Sequence, residues 1–240
     1  MSSEKDQEIE IFAHETLKTF ALTNNYNKWV CDSFAEHIAG KTVLEVGCGI
    51  GNLTRRFMEH CSRIIGIDTS DLFIRHLKID FPGLELHNFD ISDERVRSLS
   101  DRKIDAVIAI NVLEHVKEDE KAMANMRELL LPGGKLLLFV PALSWLFGTI
   151  DRSLAHHRRY DKADLVRKVE AAGFTVEKVF FSNFIGIFGW FMNSRVFKRR
   201  TFPIIQPILF DKLVPTLAKI EKAFPPFIGM NLTLVARKKG

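Results

Sequence analysis

Eleven residues, Val43-Leu44-Glu45-Val46-Gly47-Cys48-Gly49-Ile50-Gly51-Asn52-Leu53, carry the densest chemical signal in the chain: a short apolar run opening into three glycines at alternate positions. Glycine at such a turn allows positive φ and lets a ligand come close to the backbone. At the carboxyl end of a strand in an open α/β sheet, that is where ligands bind. A tight turn that binds nothing would use the same glycines, so the neighbouring acids decide. The nicotinamide fingerprint G-x-G-x-x-G would need glycine at 47, 49 and 52, and position 52 is Asn. Glu45 puts a carboxylate beside the turn, which suits a cationic ligand better than a pyrophosphate. Asp68, 21 residues after Gly47, is placed to accept ribose hydroxyls and so supports a nucleoside without choosing between cofactor classes. Asp90 follows another apolar run and is read either as a helix cap or as an acceptor for an exocyclic adenine amine.

Further along, Asn111 ends a fourth apolar run and faces the same cleft, with His115 the first imidazole beyond it. His157-Arg158-Arg159-Tyr160 follows the fifth run. His115 and His157 are candidate general bases, needed only if an acceptor must lose a proton. Arg158 and Arg159 are candidates for holding a phosphate or carboxylate with Tyr160 closing over it; surface ion pairs are the competing role.

The elements that must position these residues alternate regularly. Strands are expected near 42–46, 63–67, 84–88, 104–110, 134–140, 174–181 and 231–236, and helices near 51–61, 70–80, 93–100, 119–130 and 161–172. Leu131-Pro132-Gly133-Gly134 supplies a helix stop and a turn together. This βα rhythm predicts a parallel sheet covered by helices. Residues 1–40 are expected to form an N-terminal helical cap, and 183–230 an inserted apolar helical lid between the last two strands. Phe184, Ile185, Ile187, Phe188, Trp190 and Phe191 are too apolar for a solvated loop, so they should pack on the first 40 residues, line a pocket or cap the domain.

Composition narrows the classes. With 240 residues, 46% of them hydrophobic and 27% charged, one globular domain is expected rather than disorder or a membrane-spanning chain. A net charge of +4 is too small to imply a nucleic-acid groove. The three cysteines form no C-x-x-C pair, so neither a disulfide framework nor a zinc site is expected, and a reducing cytoplasm fits. The charged first 25 residues suggest no signal peptide. Arg195, Lys198, Arg199 and Arg200 follow the apolar run closely, which makes peripheral membrane contact through 183–200 an alternative use of that region.

Taken in order, Leu44-Glu45-Val46-Gly47-Cys48-Gly49-Ile50-Gly51, Gly66-Ile67-Asp68, Asn88-Phe89-Asp90-Ile91, Asn111-Val112-Leu113-Glu114-His115-Val116 and Leu130-Leu131-Pro132-Gly133-Gly134 resemble the class I S-adenosylmethionine-dependent methyltransferases, in particular the group sharing motifs with ubiquinone and menaquinone biosynthesis enzymes. The resemblance covers about residues 40–182 and 231–237. It implies an α/β, Rossmann-like seven-stranded sheet in order 3-2-1-4-5-7-6 with strand 7 antiparallel, helices on both faces and a cofactor domain over 41–182 and 231–240. S-adenosylmethionine is the implied cofactor and S-adenosylhomocysteine the product. Glu45, Gly47 and Asn111 are implied near the methionine end, Asp68 at the ribose and Asp90 with Ile91 at the adenine; Cys48, Gly49, Thr69, Phe89 and Val112 complete the expected contacts. The chain also resembles a bacterial-type subgroup sharing Tyr26-Asn27-Lys28-Trp29, Val140-Pro141-Ala142, His157-Arg158-Arg159-Tyr160 and the segment from Asn183 to Asn193. From these, Tyr26, Trp29, Arg158, Arg159 and Phe188 are expected to face a small acceptor, with His115, His157 and Tyr160 as catalytic candidates. RNA or protein methylation is the competing activity, but Asn111-Val112-Leu113-Glu114 stands where an Asn-Pro-Pro-Tyr-like signature would be sought. A nucleoside-binding protein without methyl transfer is the third reading.

Overall fold

The computed structural model describes residues 14–239. Seven strands form one sheet: β1 (Thr42–Val46), β2 (Arg63–Asp68), β3 (Glu85–Asn88), β4 (Ile104–Ile110), β5 (Leu130–Pro141), β6 (Phe174–Ser182) and β7 (Asn231–Lys238). Their order is β3-β2-β1-β4-β5-β7-β6. β1 to β5 run parallel, and β7 is antiparallel between β5 and β6.

The central strands read as unbroken apolar runs because both of their faces are covered. Successive side chains alternate faces. Leu44, Val46, Val107, Leu136 and Leu138 pack with Met123, Met126, Leu165 and Val169 of the helices Asp119–Leu129 and Lys162–Ala171. Val43, Ala106, Ile108, Leu137 and Phe139 pack on the other side with Val30, Phe34, Ile38 and Phe57. The switch between β1 and β4, where the chain leaves the middle of the sheet in opposite directions, opens the crevice where a ligand site is expected.

Three local expectations are corrected. The helix after β1 is only Thr54–Met58, because the chain stays in the turn through Gly51, with φ +82°. Glu94–Arg102 is a 3-10 helix: its buried residues, Val96 and Leu99, are three apart and so share a face at three residues per turn. Leu131–Gly134 does not separate the helix from the strand. Ile104 pairs with Leu130 and Ala106 with Lys135, so 131–134 bulge out of the ladder, with Gly133 at φ +74°.

The described part of the N-terminal region is helical over 14–21, Asn24–Asp32 and Ala35–Ile38; residues 1–13 lie outside the described residues. The insertion holds the helix Gly186–Phe191, a π-helical turn at Met192–Val196 and the long helix Ile205–Ala223. One contact ties the two regions together. No side chain at Thr23 caps the helix Asn24–Asp32. Instead the carboxylate of Asp211, from the insertion, accepts from Tyr26 N at 2.8 Å and from Asn25 N at 3.3 Å. Pro215, inside the long helix, has no N–H for the Asp211 carbonyl, and Asn25 Nδ2 donates to that carbonyl at 3.1 Å. Asp211→Ala should therefore cost about 1–2 kcal/mol, the value of a lost N-cap, whereas breaking the exposed Lys28–Asp32 pair with Asp32→Ala should cost under about 0.5 kcal/mol. Urea denaturation compares the two, and equal losses would mean that the insertion does not cap the N-terminal helix.

Candidate functional site

The turn after β1 is held from below by β2. Gly47 N and Cys48 N both donate to Ile67 O, at 2.8 and 3.1 Å. Gly47 and Gly49 have φ of +74° and +54°, a region strained for other residues. A Cβ on Gly47 would come within 2.4 Å of Val112 Cγ2, so this glycine is also required by packing against the segment after β4. Asp68, at the end of β2, accepts from Gly49 N at 2.8 Å through one oxygen and from Ser70 N at 2.9 Å through the other. Its carboxylate therefore braces the turn.

Glu45 is buried, and its Oε2 has no hydrogen-bond partner. Burial pushes its carboxyl up to about 8, the neighbouring Asp68 adds to the rise, and the Thr54 hydroxyl opposes it. A cation at this point would restore the ionised form.

Above the turn lies a cavity of about 1390 Å3. All the expected cofactor residues are on its wall: Glu45, Gly47, Cys48, Gly49, Asp68, Thr69, Phe89, Asp90, Ile91, Asn111 and Val112. Asp90 is partly engaged, its Oδ1 accepting from Ser92 N at 2.8 Å and Ser92 Oγ at 2.7 Å. Asn111 holds φ +52°, and its N donates to Phe139 O, which bends the chain sharply off β4. Beyond this polar end the cavity becomes apolar. Phe20 and Val30 wall it from the N-terminal region, and Phe188, Trp190, Phe197, Phe202 and Phe210 from the insertion.

The acceptor-side candidates divide. Tyr26, His115, His157, Arg159 and Phe188 line the cavity; Trp29, Arg158 and Tyr160 do not. Trp29 packs edge-on against Tyr26. Tyr160 is fully buried, with its hydroxyl 2.9 Å from Asp119 Oδ2 and 3.1 Å from Leu113 O, so it is a packing residue without a catalytic position. Arg158 pairs with Asp119 at 2.7 Å and donates to Lys117 O. Arg159 is buried against Asp151 at 2.7 Å, donates to Ala142 O and lies over the Trp190 ring. Both guanidinium groups are spent on the protein's own acceptors, which removes the expected anion clamp. His115 is open to the cavity yet walled by protein. Burial pushes its imidazole down to about 3, with His156 and His157 adding to the effect, so it is neutral and weakly basic.

Three residues with no expected role emerge. Glu114 is fully buried, and burial pushes its carboxyl up to about 7 against the pull of His156. His156 Nδ1 lies 3.1 Å from Asp151 Oδ1, and its ring stands perpendicular to His115 at 4.6 Å. Asp151 also accepts from Gly148 N and Trp190 Nε1. Burial alone would raise its pKa, but the His156 hydrogen bond and the Arg159 charge outweigh that and hold it below the ordinary range. In the sequence the only signal for these was the His156-His157 doublet and the acid beside His115.

Comparison with known proteins places this cavity in a chain of recognisable likeness. Residues 44–136 match a family model described as a methyltransferase domain. Over 150 residues, 62% of the chain, it is 28% identical to a Mycolicibacterium smegmatis protein described as a probable S-adenosylmethionine-dependent methyltransferase, covering 57% of that protein. Over 117 residues, 48% of the chain, it is 30% identical to the ubiquinone biosynthesis O-methyltransferase of Coxiella burnetii, covering 46% of it. The chain thus spans about half the length of the curated relatives it matches. Among solved structures, a SAM-dependent methyltransferase from Archaeoglobus fulgidus shares the fold with a TM-score of 0.59 at 18% identity, over 87% of this chain and 91% of that one. The [4+2]-cyclase SpnF does so with a TM-score of 0.59 at 17% identity, over 90% and 80%. Motif order, strand order and relatives converge on one likeness: residues 44–136 resemble a methyltransferase domain, and the sheet has the fold of S-adenosylmethionine-dependent methyltransferases.

Proposed function

We propose that the protein transfers the methyl group of S-adenosylmethionine to a small acceptor with a substantial apolar part. The observation that carries this reading is one continuous cavity, with the glycine turn and its acids at one end and aromatic residues of the insertion at the other. The residues fit the cofactor: an unpartnered buried carboxylate oxygen on Glu45 suits a cationic ligand, and Gly47, Gly49 and Asp68 line the cavity beside it. Glu45 and Asn111 would hold the methionine end, Asp68 the ribose, and Asp90 with Ile91 the adenine. When bound, S-adenosylmethionine supplies an electrophilic methyl on a sulfonium. The protein's part is alignment and exclusion of water, and orientation of bound reactants supplies up to about 7–11 kcal/mol in such reactions. The ubiquinone O-methyltransferase relatives support a small-molecule acceptor. O-, N- or C-methylation is for the acceptor to decide, and macromolecular methylation lacks a comparable supporting feature in this cavity.

The same reading includes peripheral contact with an anionic lipid surface on the cytoplasmic side. Phe188, Phe191, Val196 and Phe197 are exposed, with Arg195, Lys198, Arg199 and Arg200 among or beside them, while no described helix is long and apolar enough to cross a membrane.

Three measurements follow. Because Glu45 is protonated below about 8 in the free protein, binding of the cationic cofactor must expel a proton there. Affinity should then rise by up to ~10-fold per pH unit below that value and level off above it, and Glu45→Gln should flatten the profile. Calorimetry from pH 6 upward reads this, and a flat profile in the parent protein would remove Glu45 from the cationic end. Replacing Phe188 and Phe191 with Ala should raise the acceptor's KM by about 10-fold or more with cofactor affinity nearly intact; unchanged kinetics in a folded variant would end the apolar-acceptor reading. In flotation, vesicles containing phosphatidylglycerol should carry the protein and neutral vesicles should not, with Lys198→Glu plus Arg200→Glu reducing recovery. Equal recovery with both vesicle types would contradict the charge-assisted contact.

A further inference from the structure

A single 3-10 turn, Leu113–His115, leads out of the crevice after β4 and turns Glu114 inward. Neither of its carboxylate oxygens has a hydrogen-bond partner, although the side chain is completely buried. An unsatisfied buried carboxyl costs free energy whether charged or neutral, and native proteins rarely leave one so. His156, Arg159 and Asp151 act on it electrostatically. One ligand-capable atom from each of Glu114, His115 and His156 lies within 4.8 Å of the others, and these three form the one such grouping among the described residues. All three line the cavity.

The surroundings of His156 add an independent observation. Asp151 Oδ1, 3.1 Å from Nδ1, favours the tautomer with its proton on Nδ1 and leaves the Nε2 lone pair as the ring's ligand atom. A carboxylate behind an imidazole is how proteins orient metal-binding histidines. Asp151 is itself immobilised by Arg159, Trp190 and the Gly148 amide, so the ring it holds is aimed rather than free. Arg159, whose charge also acts on Glu114, is paired with that same carboxylate.

We propose that Glu114, His115 and His156 form a binding site for one divalent transition cation of the zinc type, with Asp151 as the residue that positions His156. Two imidazoles and one carboxylate suit a borderline cation and leave a coordination position open. Because all three residues line the cavity, an acceptor oxygen or nitrogen that reached the ion would be polarised by it. Paired cysteines, the feature weighed in the sequence, play no part; the third ligand comes from a loop 41 residues beyond His115. The inference stands apart from the methyl-transfer reading, because the site and its test require no turnover.

The test uses the full chain stripped with a chelator. Added Co2+ should bind at one equivalent and produce visible d–d bands, and one equivalent of Zn2+ should displace it and raise the melting temperature. Glu114→Gln keeps the side chain's shape, and His156→Ala opens the other edge. Each should lower Zn2+ affinity about 100-fold or more while the metal-free variant still melts cooperatively, and His157→Ala should stay within about threefold of the parent. The site is overturned if the parent takes up neither ion at micromolar concentration, if both ligand variants retain one-equivalent binding, or if His157→Ala loses binding as completely as they do. A metal-indifferent protein that Glu114→Gln simply stabilises would make the carboxyl a protonated packing group, which also contradicts the proposal.

Discussion

A turn made of glycines cannot be held by its own side chains, so everything above it depends on how β2 grips it. Ile67 O takes two amides of the turn, and the Asp68 carboxylate takes a third, from Gly49. This grip exists because β1 and β2 run parallel with Val46 opposite Ile67, which sets the end of one strand beside the start of the other's loop. Val112 then closes on Gly47 from β4's side and leaves no space for a side chain. The polar end of the cavity is thus fixed by backbone bonds, and burial beside it pushes the Glu45 carboxyl up to about 8.

A second buried carboxylate organises the opposite end. Asp151 gathers Arg159, His156, the Gly148 amide and the Trp190 indole. It joins the loop after β5 to the first helix of the insertion, just as Asp211 joins the insertion to the N-terminal helix. The apolar chamber is therefore enclosed by three segments far apart in sequence, pinned at two acidic residues. The insertion emerges over the cavity because β6 ends and antiparallel β7 begins on the same edge, with Ser182 opposite Asn231.

The sheet was legible in the sequence because its central strands are buried on both faces and read as uninterrupted apolar runs. The residues expected at the cofactor end share one cavity wall for a related reason: its glycines and acids lie on single strand-to-loop junctions, so spacing along the chain is spacing on that wall. The acceptor end was not legible in that way. Arg158, Arg159 and Tyr160 have the residue types of an anion clamp, but Asp119 and Asp151, which occupy them, are 39 and eight residues upstream of Arg158 and Arg159, and no periodicity links them. Charge type can be read from a sequence; prior engagement of that charge cannot. His115 was singled out alone, but its grouping with Glu114 and His156 escaped for the same reason, since only the fold of the loop after β5 brings His156 back to β4. The 3-10 helix at Glu94–Arg102 was readable in principle from the three-residue spacing of Val96 and Leu99.

The glycine turn, braced by Asp68 and closed by Val112, is the proposed site for S-adenosylmethionine. Calorimetric titration of S-adenosylhomocysteine and of NAD into the parent protein and into Gly47→Val tests it most directly. One-to-one binding of S-adenosylhomocysteine by the parent is expected, with at least about 100-fold weaker NAD binding and loss of the S-adenosylhomocysteine signal in a folded Gly47→Val protein, where the new side chain would meet Val112. Parent-like affinity in that folded variant would contradict it.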